Sequence, residues 1–430
     1  MSRDSQLQQD LLALFKRSKG DIKPGLERIS ELLELIGNPQ NKFLSIHVAG
    51  TNGKGSVAAL LESILRAHGL RTGLYTSPHL VEFNERIKID GRPIADDALR
   101  AAFEPVRLAD EGRASRGLNP ASFFEMGTAI SFQAFAESGI AVAVVETGMG
   151  GRWDSTNVIR PLVCAITPIS IEHSRLLGDT LTQIAGEKAG IIKPGVPVVI
   201  APQEDEARAV FISAAAERAA PLRWVAESVS ARCMAESLYG QKLKIDTDNA
   251  SYPPALCPLL GDYQLANCAQ AVAAAEEFFA AAGLAPDPAA VKRGIEQVSW
   301  PGRAQIIQRD PLVIFDGAHN PAAAIKLREL LVRLAGKRRL GLIVSFLEDK
   351  DAAGFMRAFK SSVERCWIVP LAAQRAMAAA DIEAAVRPVC GRYGICEREQ
   401  AYAAALDWAR RENGVVCVTG SLYLLGEFLK

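Results

Sequence analysis

The chain has 430 residues, 49% apolar and 23% charged, with 34 Gly and 22 Pro, a balance that excludes disordered, collagen-like and small disulfide-stapled proteins. At about 100 to 200 residues per domain, the length suits two domains with separate cores. Forty-nine Lys and Arg balance 49 Asp and Glu; the chain therefore lacks the long-range positive field that gathers phosphates, and no nucleic acid is expected as a partner.

The N-terminal stretch MSRDSQLQQDLLALFKRSKG carries acidic residues early and no uninterrupted apolar core, so it does not read as a secretion signal. No segment approaches the ~18 consecutive apolar residues of a membrane span, and no membrane partner is expected. FLSIHVAG (43–50) is predicted as a strand, followed by the Gly-rich TNGKGS, a helix over 57–69 and a strand over 70–77. This strand, loop, helix, strand order is the signature of parallel α/β construction. FFEMGTAISFQAFAESG is predicted as a helix, 140–148 and 161–170 as strands, TLTQIAGEKAGII as a helix and VPVVIAP as a strand. Residues 222–260 change character and suggest a small β appendage, after which NCAQAVAAAEEFFAAAG reads as an Ala-rich helix. From WPGRAQII (300–307) a second βα series begins: PLVIFDG, RLGLIVSF, CWIVPL and GVVCVTGS as strands, with helices at AAIKLRELLVRLAG and QAYAAALDWARRENG. The expected domains are therefore 1–299 and 300–430. Eight cysteines, none in a CxxC pair and several inside apolar runs, imply buried reduced thiols in a cytoplasmic protein.

Chemistry concentrates first at Ala49–Ser56, AGTNGKGS, between a strand and a helix. Successive backbone N–H groups there can wrap an anion, Lys54 can reach a β/γ-phosphate and Ser56 can ligate Mg²⁺. The loop is not a strict GxxxxGK[ST], since position 48 is Val and Gly55 separates Lys54 from Ser56. Glu146 stands at the carboxyl end of an apolar strand, where ligands of open parallel sheets collect.

GTNGKGS, with TSPHL (76–80), resembles the Mur ligase superfamily and specifically folylpolyglutamate synthase/dihydrofolate synthase. The resemblance continues in order through FNERI (83–87), SFFE (122–125), ETGMGGRWDSTNV (146–158), ISIEHSRLLGDTLTQIAGEKAGIIKPG (169–195), LGDYQLANCAQA (260–271), WPGR (300–303), DGAHNP (316–321) and VTGSLYLLGE (418–427). It implies an α/β fold. An N-terminal P-loop-type ATPase domain would have a mostly parallel sheet and a small β appendage, followed by a smaller Rossmann-like C-terminal α/β domain. It implies ATP as co-substrate, Mg²⁺, and ligation of L-glutamate to a pterin or folate acceptor through an acyl phosphate, by a monomer.

By the same resemblance, Lys54, Lys188, Glu146 and His173 are catalytic, and Ser56, Ser77, Glu146 and His173 hold the metal. Thr51, Asn52, Gly53, Lys54, Gly55, Ser56, Asn267, Arg303 and Asp316 bind ATP, while Ser122, Phe123, Phe124, Asp154, His319 and Ser421 bind substrate. Lys188 matches the lysine that family members carbamylate; the periodicity of Ile184, Lys188, Ile191 and Ile192 predicts a partly buried stem. Two positions depart from the family pattern: Glu172 stands where Asp usually precedes the His, and Tyr263 replaces a common His before Gln264. An aromatic in SFFE inclines the reading towards both synthase activities, with a folylpolyglutamate synthase alone, or another Mur-type amino acid ligase, as alternatives. A cell-wall ligase would need a UDP-binding domain ahead of the loop, where 49 residues precede Gly50. A non-catalytic nucleotide-binding module would not need Lys54, Glu146, His173 and Lys188 together.

Overall fold

The computed structural model describes residues 10, 11, 14, 25–373 and 375–430, and of Arg175 the backbone alone. The N-terminal stretch read above against a secretion signal lies largely outside them. The described residues divide into two compact units. One comprises residues up to Ala231 with Ile245–Pro254 and Asn267–Gln297, the other Arg232–Lys244, Ala255–Ala266 and Val298–Lys430.

The first unit is built on β1 (Leu44–Ala49), β2 (Thr72–Tyr75), β3 (Ile87–Ile89), β4 (Arg92–Pro93), β5 (Val142–Glu146), β6 (Val163–Ile166), β7 (Val198–Ile200) and β8 (Leu222–Trp224). These form one sheet in the order β4-β3-β2-β5-β1-β6-β7-β8. β2, β5, β1, β6, β7 and β8 pair in parallel, and only the β2–β3 and β3–β4 pairs at one edge are antiparallel. Near-continuous apolar runs such as VAVVE are what a sheet covered on both faces requires, and every residue of β5 is buried. One core cluster contains Phe132, Phe135, Leu99 and Tyr75; another contains Ile184, Ile191 and Phe211. Each such fully buried side chain contributes roughly 1.5–3 kcal/mol relative to exposure.

Helices follow the expected periodicity. Glu27–Leu35 buries Ile29, Leu32 and Leu33, one stripe at i, i+3 and i+4. Connections reverse direction about β1: its neighbours are β5 on one side and β6 on the other, with paired residues Val48↔Glu146 and Ala49↔Ile166. That switch point opens a crevice at the carboxyl ends of the strands, and the Gly-rich loop leaves β1 there.

The appendage is narrower than its sequence suggested. Leu222–Trp224 joins the large sheet as its edge, leaving β9 (Val229–Ser237), β10 (Gly240–Thr247) and β11 (Ala255–Cys257) as a separate three-stranded sheet. The Ala-rich helix begins earlier than its alanines do, at Asp262, where Gly261 turns the chain at φ +106° and its carbonyl accepts from Gln264 N at 2.9 Å.

The second unit carries β12 (Gln305–Arg309), β13 (Leu312–Phe315), β14 (Arg339–Val344), β15 (Arg365–Ile368), β16 (Tyr393–Ile395) and β17 (Gly414–Thr419), in the order β12-β13-β17-β14-β15-β16. All pairs are parallel except β12 with β13. All eight cysteines are free thiols, and among the described residues no helix is long and apolar enough to cross a membrane.

Candidate functional site

In the first unit the loop after β1 is shaped by glycine at two points. Gly50 sits at φ +143°, and a Cβ there would lie 1.9 Å from Thr167 Oγ1. Gly53 caps the helix Lys54–Ala67 at φ +92°, and its missing Cβ makes room for Asn267 Oδ1, which would be 2.6 Å away. The loop therefore has to be glycine at both places, and Asn267 lies against it.

The chain following β6 tethers this loop. Thr51 N and Asn52 N both donate to Pro168 O, at 3.1 and 3.2 Å. Thr51 Oγ1 donates to Ser170 O at 3.2 Å, and Asn52 Nδ2 to Ser170 Oγ at 3.0 Å. Lys54 Nζ donates to Thr51 O at 3.2 Å, while Gly55 and Ser56 are buried in the first helical turn. The tethers from Pro168 and Ser170 join residues more than 110 positions apart, and no local pattern in the sequence marks them.

Lys188 closes the loop from beneath. It ends the helix Leu181–Lys188 and is buried, a deeper position than the partly buried stem expected, and its Nζ donates to Gly50 O at 2.6 Å. Burial first, and then the Lys54 charge, push its amine down to about 7, against an opposing pull from Glu172 and Asp154. A lysine so placed is substantially neutral near pH 7 and is a nucleophile.

Glu146 is buried at the end of β5, and its Oε2 accepts from Ser77 N at 3.2 Å, so the carboxylate adjoins the residue expected to share its metal. Ser56, Ser77 and Glu146 offer hard oxygen donors, the type Mg²⁺ takes alongside water and phosphate oxygens. Among the described residues no three His, Cys, Asp or Glu side chains gather into a metal cluster. His173 stands half-exposed at φ +53°, with Nε2 3.8 Å from Glu172 Oε1.

The acceptor candidates divide by role. Ser122 caps its helix through Glu125 N, and Glu125 returns a bond to Ser122 N. Phe123 is buried, edge-on to Phe83 at 6.1 Å. Phe124 is half-buried and spreads over Gly148, where a Cβ would be 2.3 Å from its Cζ; Tyr75 lies 6.2 Å from it. Asp154 is buried and occupied by its own loop: Oδ2 accepts from Met149 N at 2.9 Å, and Oδ1 accepts from Thr156 N at 3.0 Å and from Thr156 Oγ1. Burial pushes its carboxyl upward against these donors.

The second unit gathers its own group. Asp316, at the end of β13, accepts from Ala304 N at 2.7 Å and Ala318 N at 2.8 Å; burial raises its carboxyl and Arg303 opposes the rise. Arg303 lies across Gly317, where a Cβ would come within 2.4 Å of Nη1. His319 Nδ1 pairs with Gly317 O at 2.9 Å, Asn320 caps the helix Pro321–Ala335, and Ser421 caps Leu422–Leu429 through Tyr423 N. Tyr263 is drawn into this group; burial, with the Asp316 charge second, holds its phenol well above the usual range. In each unit, therefore, several of the expected residues share one neighbourhood.

Comparison with known proteins agrees in extent. The Mur ligase middle domain matches residues 48–275, and the Mur ligase glutamate ligase domain matches 302–422. The chain is 33% identical to a Bacillus subtilis dihydrofolate synthase/folylpolyglutamate synthase over 96% of both chains. A Mycobacterium tuberculosis folylpolyglutamate synthase solved with ADP and AMPPCP superposes with a TM-score of 0.90 at 34% identity, covering 98% of this chain and 97% of that one. Escherichia coli FolC in complex with DHPP and ADP gives 0.86 at 30% identity, covering 98% and 96%.

Proposed function

Since this chain belongs to the Mur ligase family, among the folylpolyglutamate and dihydrofolate synthases, and is an ATP-dependent ligase, we propose that it joins L-glutamate to dihydropteroate, to reduced folate, or to both. The observation that carries this reading is the loop Gly50–Ser56 at the switch point of the large sheet, with Lys54, Lys188 and the Glu146–Ser77 pair about it.

The acceptor carboxylate attacks the γ-phosphorus of ATP, ADP leaves, and an acyl phosphate forms. The glutamate amine then attacks the acyl carbon and inorganic phosphate leaves. Little covalent chemistry falls to the protein; its contribution is alignment and charge stabilisation. Backbone N–H groups of Thr51–Ser56 cradle the phosphates and Lys54 neutralises the transferring group, with Asn267 beside the loop; in the second unit Arg303 and Asp316 are the proposed ATP-binding residues. Ser56, Ser77, Glu146 and His173 would hold Mg²⁺, which supplies positive charge to the phosphate oxygens. Phe124 offers its face to the flat heterocycle, and His319 and Ser421 serve the incoming glutamate.

Lys188 serves as a carbamate. Its neutral amine adds to CO₂ with loss of a proton, giving an anion below the phosphate loop; the burial and lowered basicity described above support this. The enzyme acts as a monomer in the cytoplasm, a reducing compartment with which its free thiols are compatible. The test offers the purified protein dihydropteroate and, separately, a reduced folate, with Mg-ATP and labelled glutamate, and weighs the products. A mass increase of one glutamate residue on either acceptor is expected; ADP release without a labelled product would overturn the reading.

A further inference from the structure

The segment FNERI, Phe83–Ile87, organises the loop that delivers Ser77. β2 and β3 pair antiparallel with Tyr75 opposite Ile87, and Thr76 N donates to Arg86 O at 3.0 Å. From that fixed point the chain departs at Ser77 and returns at Phe83. A single carboxylate, Glu85, reaches into the bend and accepts from three consecutive backbone donors: Leu80 N at 2.7 Å, Val81 N at 3.0 Å and Glu82 N at 3.0 Å. The next side chain, Arg86, is buried and donates from Nε to His79 Nδ1 at 2.9 Å. Its guanidinium lies 5.1 Å from the Phe123 ring centre and 5.8 Å from that of Phe83. Four consecutive loop residues, His79 to Glu82, are thus held by two neighbouring side chains, and at the start of the loop Ser77 N rests on Glu146 Oε2.

We propose that Glu85 and Arg86 are positioning residues for phosphoryl transfer: by fixing the curvature of residues 77–82 they keep Ser77 against Glu146. Neither side chain meets substrate in this account; both act through Ser77, so the inference rests on the reading of Ser77 and Glu146 as the metal side of the site. The three N–H groups converging on one point demand an acceptor with two oxygens. Glutamine, with one oxygen and an N–H₂ group in its place, satisfies part of the set and opposes the rest. Side chains that orient the groups around a metal typically matter by about 10–100-fold in affinity or activity.

The test uses the full-length protein. Hydrogen exchange in the wild type should show Leu80, Val81 and Glu82 amides protected, and slowed several-fold further by Mg²⁺ with a non-hydrolysable ATP analogue. In Glu85→Gln these amides should exchange about tenfold faster, the half-saturating Mg²⁺ concentration should rise about tenfold and kcat should fall comparably. The KM for the acceptor should stay within about twofold, and Glu85→Asp should fall between the two proteins. Ser77→Ala provides the reference: if it leaves the Mg²⁺ dependence unchanged, the underlying reading of Ser77 fails. If Ser77→Ala shifts that dependence while a folded Glu85→Gln with loosened amides does not, the positioning role alone is overturned. Should no Glu85 variant fold, the wild type decides, because unprotected amides, or protection indifferent to Mg²⁺ and the analogue, would overturn the proposal.

Discussion

Replacing Lys188 with methionine keeps an unbranched stem in the same space and removes the titrating amine. At about 1.4 kcal/mol per pH unit, a fall from the ordinary 10.5 to about 7 separates burial of the amine from burial of the ammonium by roughly 5 kcal/mol. The unfolded chain holds this proton up to about pH 10.5, whereas the folded chain releases it near 7. Between those values the unfolded state binds more protons, so unfolding free energy rises with pH. The cost of the buried charge is complete below pH 7 and gone above 10.5. Lys188→Met abolishes that dependence and leaves Gly50 O without its donor, a fixed loss of about 1–3 kcal/mol. The assay is the urea midpoint of both proteins at pH 7, 8 and 9 in CO₂-depleted buffer. The wild type should gain about 2–3 kcal/mol on the variant across that range; a difference that does not move with pH would refute the assignment. Bicarbonate added at the upper end should then stabilise the wild type alone, as ligand linkage requires, and ¹³C-bicarbonate should give a carbamate signal absent from the variant. A pH-dependent difference without a bicarbonate effect would dismiss the carbamate and keep the buried amine.

Lys54→Ala should lower kcat by about 10²–10³-fold with a melting temperature within a few degrees of wild type, since its side chain supplies charge and one bond to Thr51 O; near-normal turnover would contradict the phosphate-loop assignment. Phe124→Ala should raise the KM for a pterin-bearing acceptor about fivefold, the equivalent of ~1 kcal/mol of stacking, with little change for ATP; equal changes for both substrates would mean a packing role only. Gly50→Ala should weaken binding of an ATP analogue by about tenfold or more, because its Cβ meets Thr167 Oγ1 at 1.9 Å and its φ of +143° disfavours any side chain. Unchanged affinity by calorimetry would show that the loop tolerates a wider turn.

The parallel sheets and the Gly-rich loop were legible because they follow from local pattern: buried strands read as apolar runs, and TNGKGS falls between a strand and a helix. What escaped either broke a local rule or joined residues far apart in the chain. Asp96–Ser115 went unread as a helix, its interior Pro105 being an ordinary helix breaker, although the fold accommodates it. Lys188 could be placed near an apolar stripe by its period of 3.6, but its full burial arises because the helix end meets a carbonyl 138 residues earlier in the chain. The carboxylate of Glu85 was visible in FNERI, whereas the bend that turns three backbone N–H groups upon it, from residues three to five positions earlier, follows neither a strand nor a helix period.

Asp154 and Asp316 show how a carboxylate named by a motif also organises the loop that carries it. The family resemblance gives each a ligand, pterin for one and nucleotide for the other, and both oxygens of each also accept from backbone donors of its own neighbourhood. Each is buried, with its carboxyl displaced upward by desolvation, and each has a basic residue within electrostatic reach: Lys188 for Asp154 and Arg303 for Asp316. A carboxylate that accepts two or three N–H bonds in a dry setting fixes the loop that carries them, because removing it would strand every donor at about 1–3 kcal/mol apiece. The two aspartates therefore shape the ETGMGGRWD and DGAHN loops, which carry Gly148 beneath Phe124 in one and His319 in the other, with Arg303 lying across Gly317. The same division of labour recurs at Glu85. In all three places a carboxylate holds backbone so that a hydroxyl, an aromatic face or a cation can be held where the chemistry needs it.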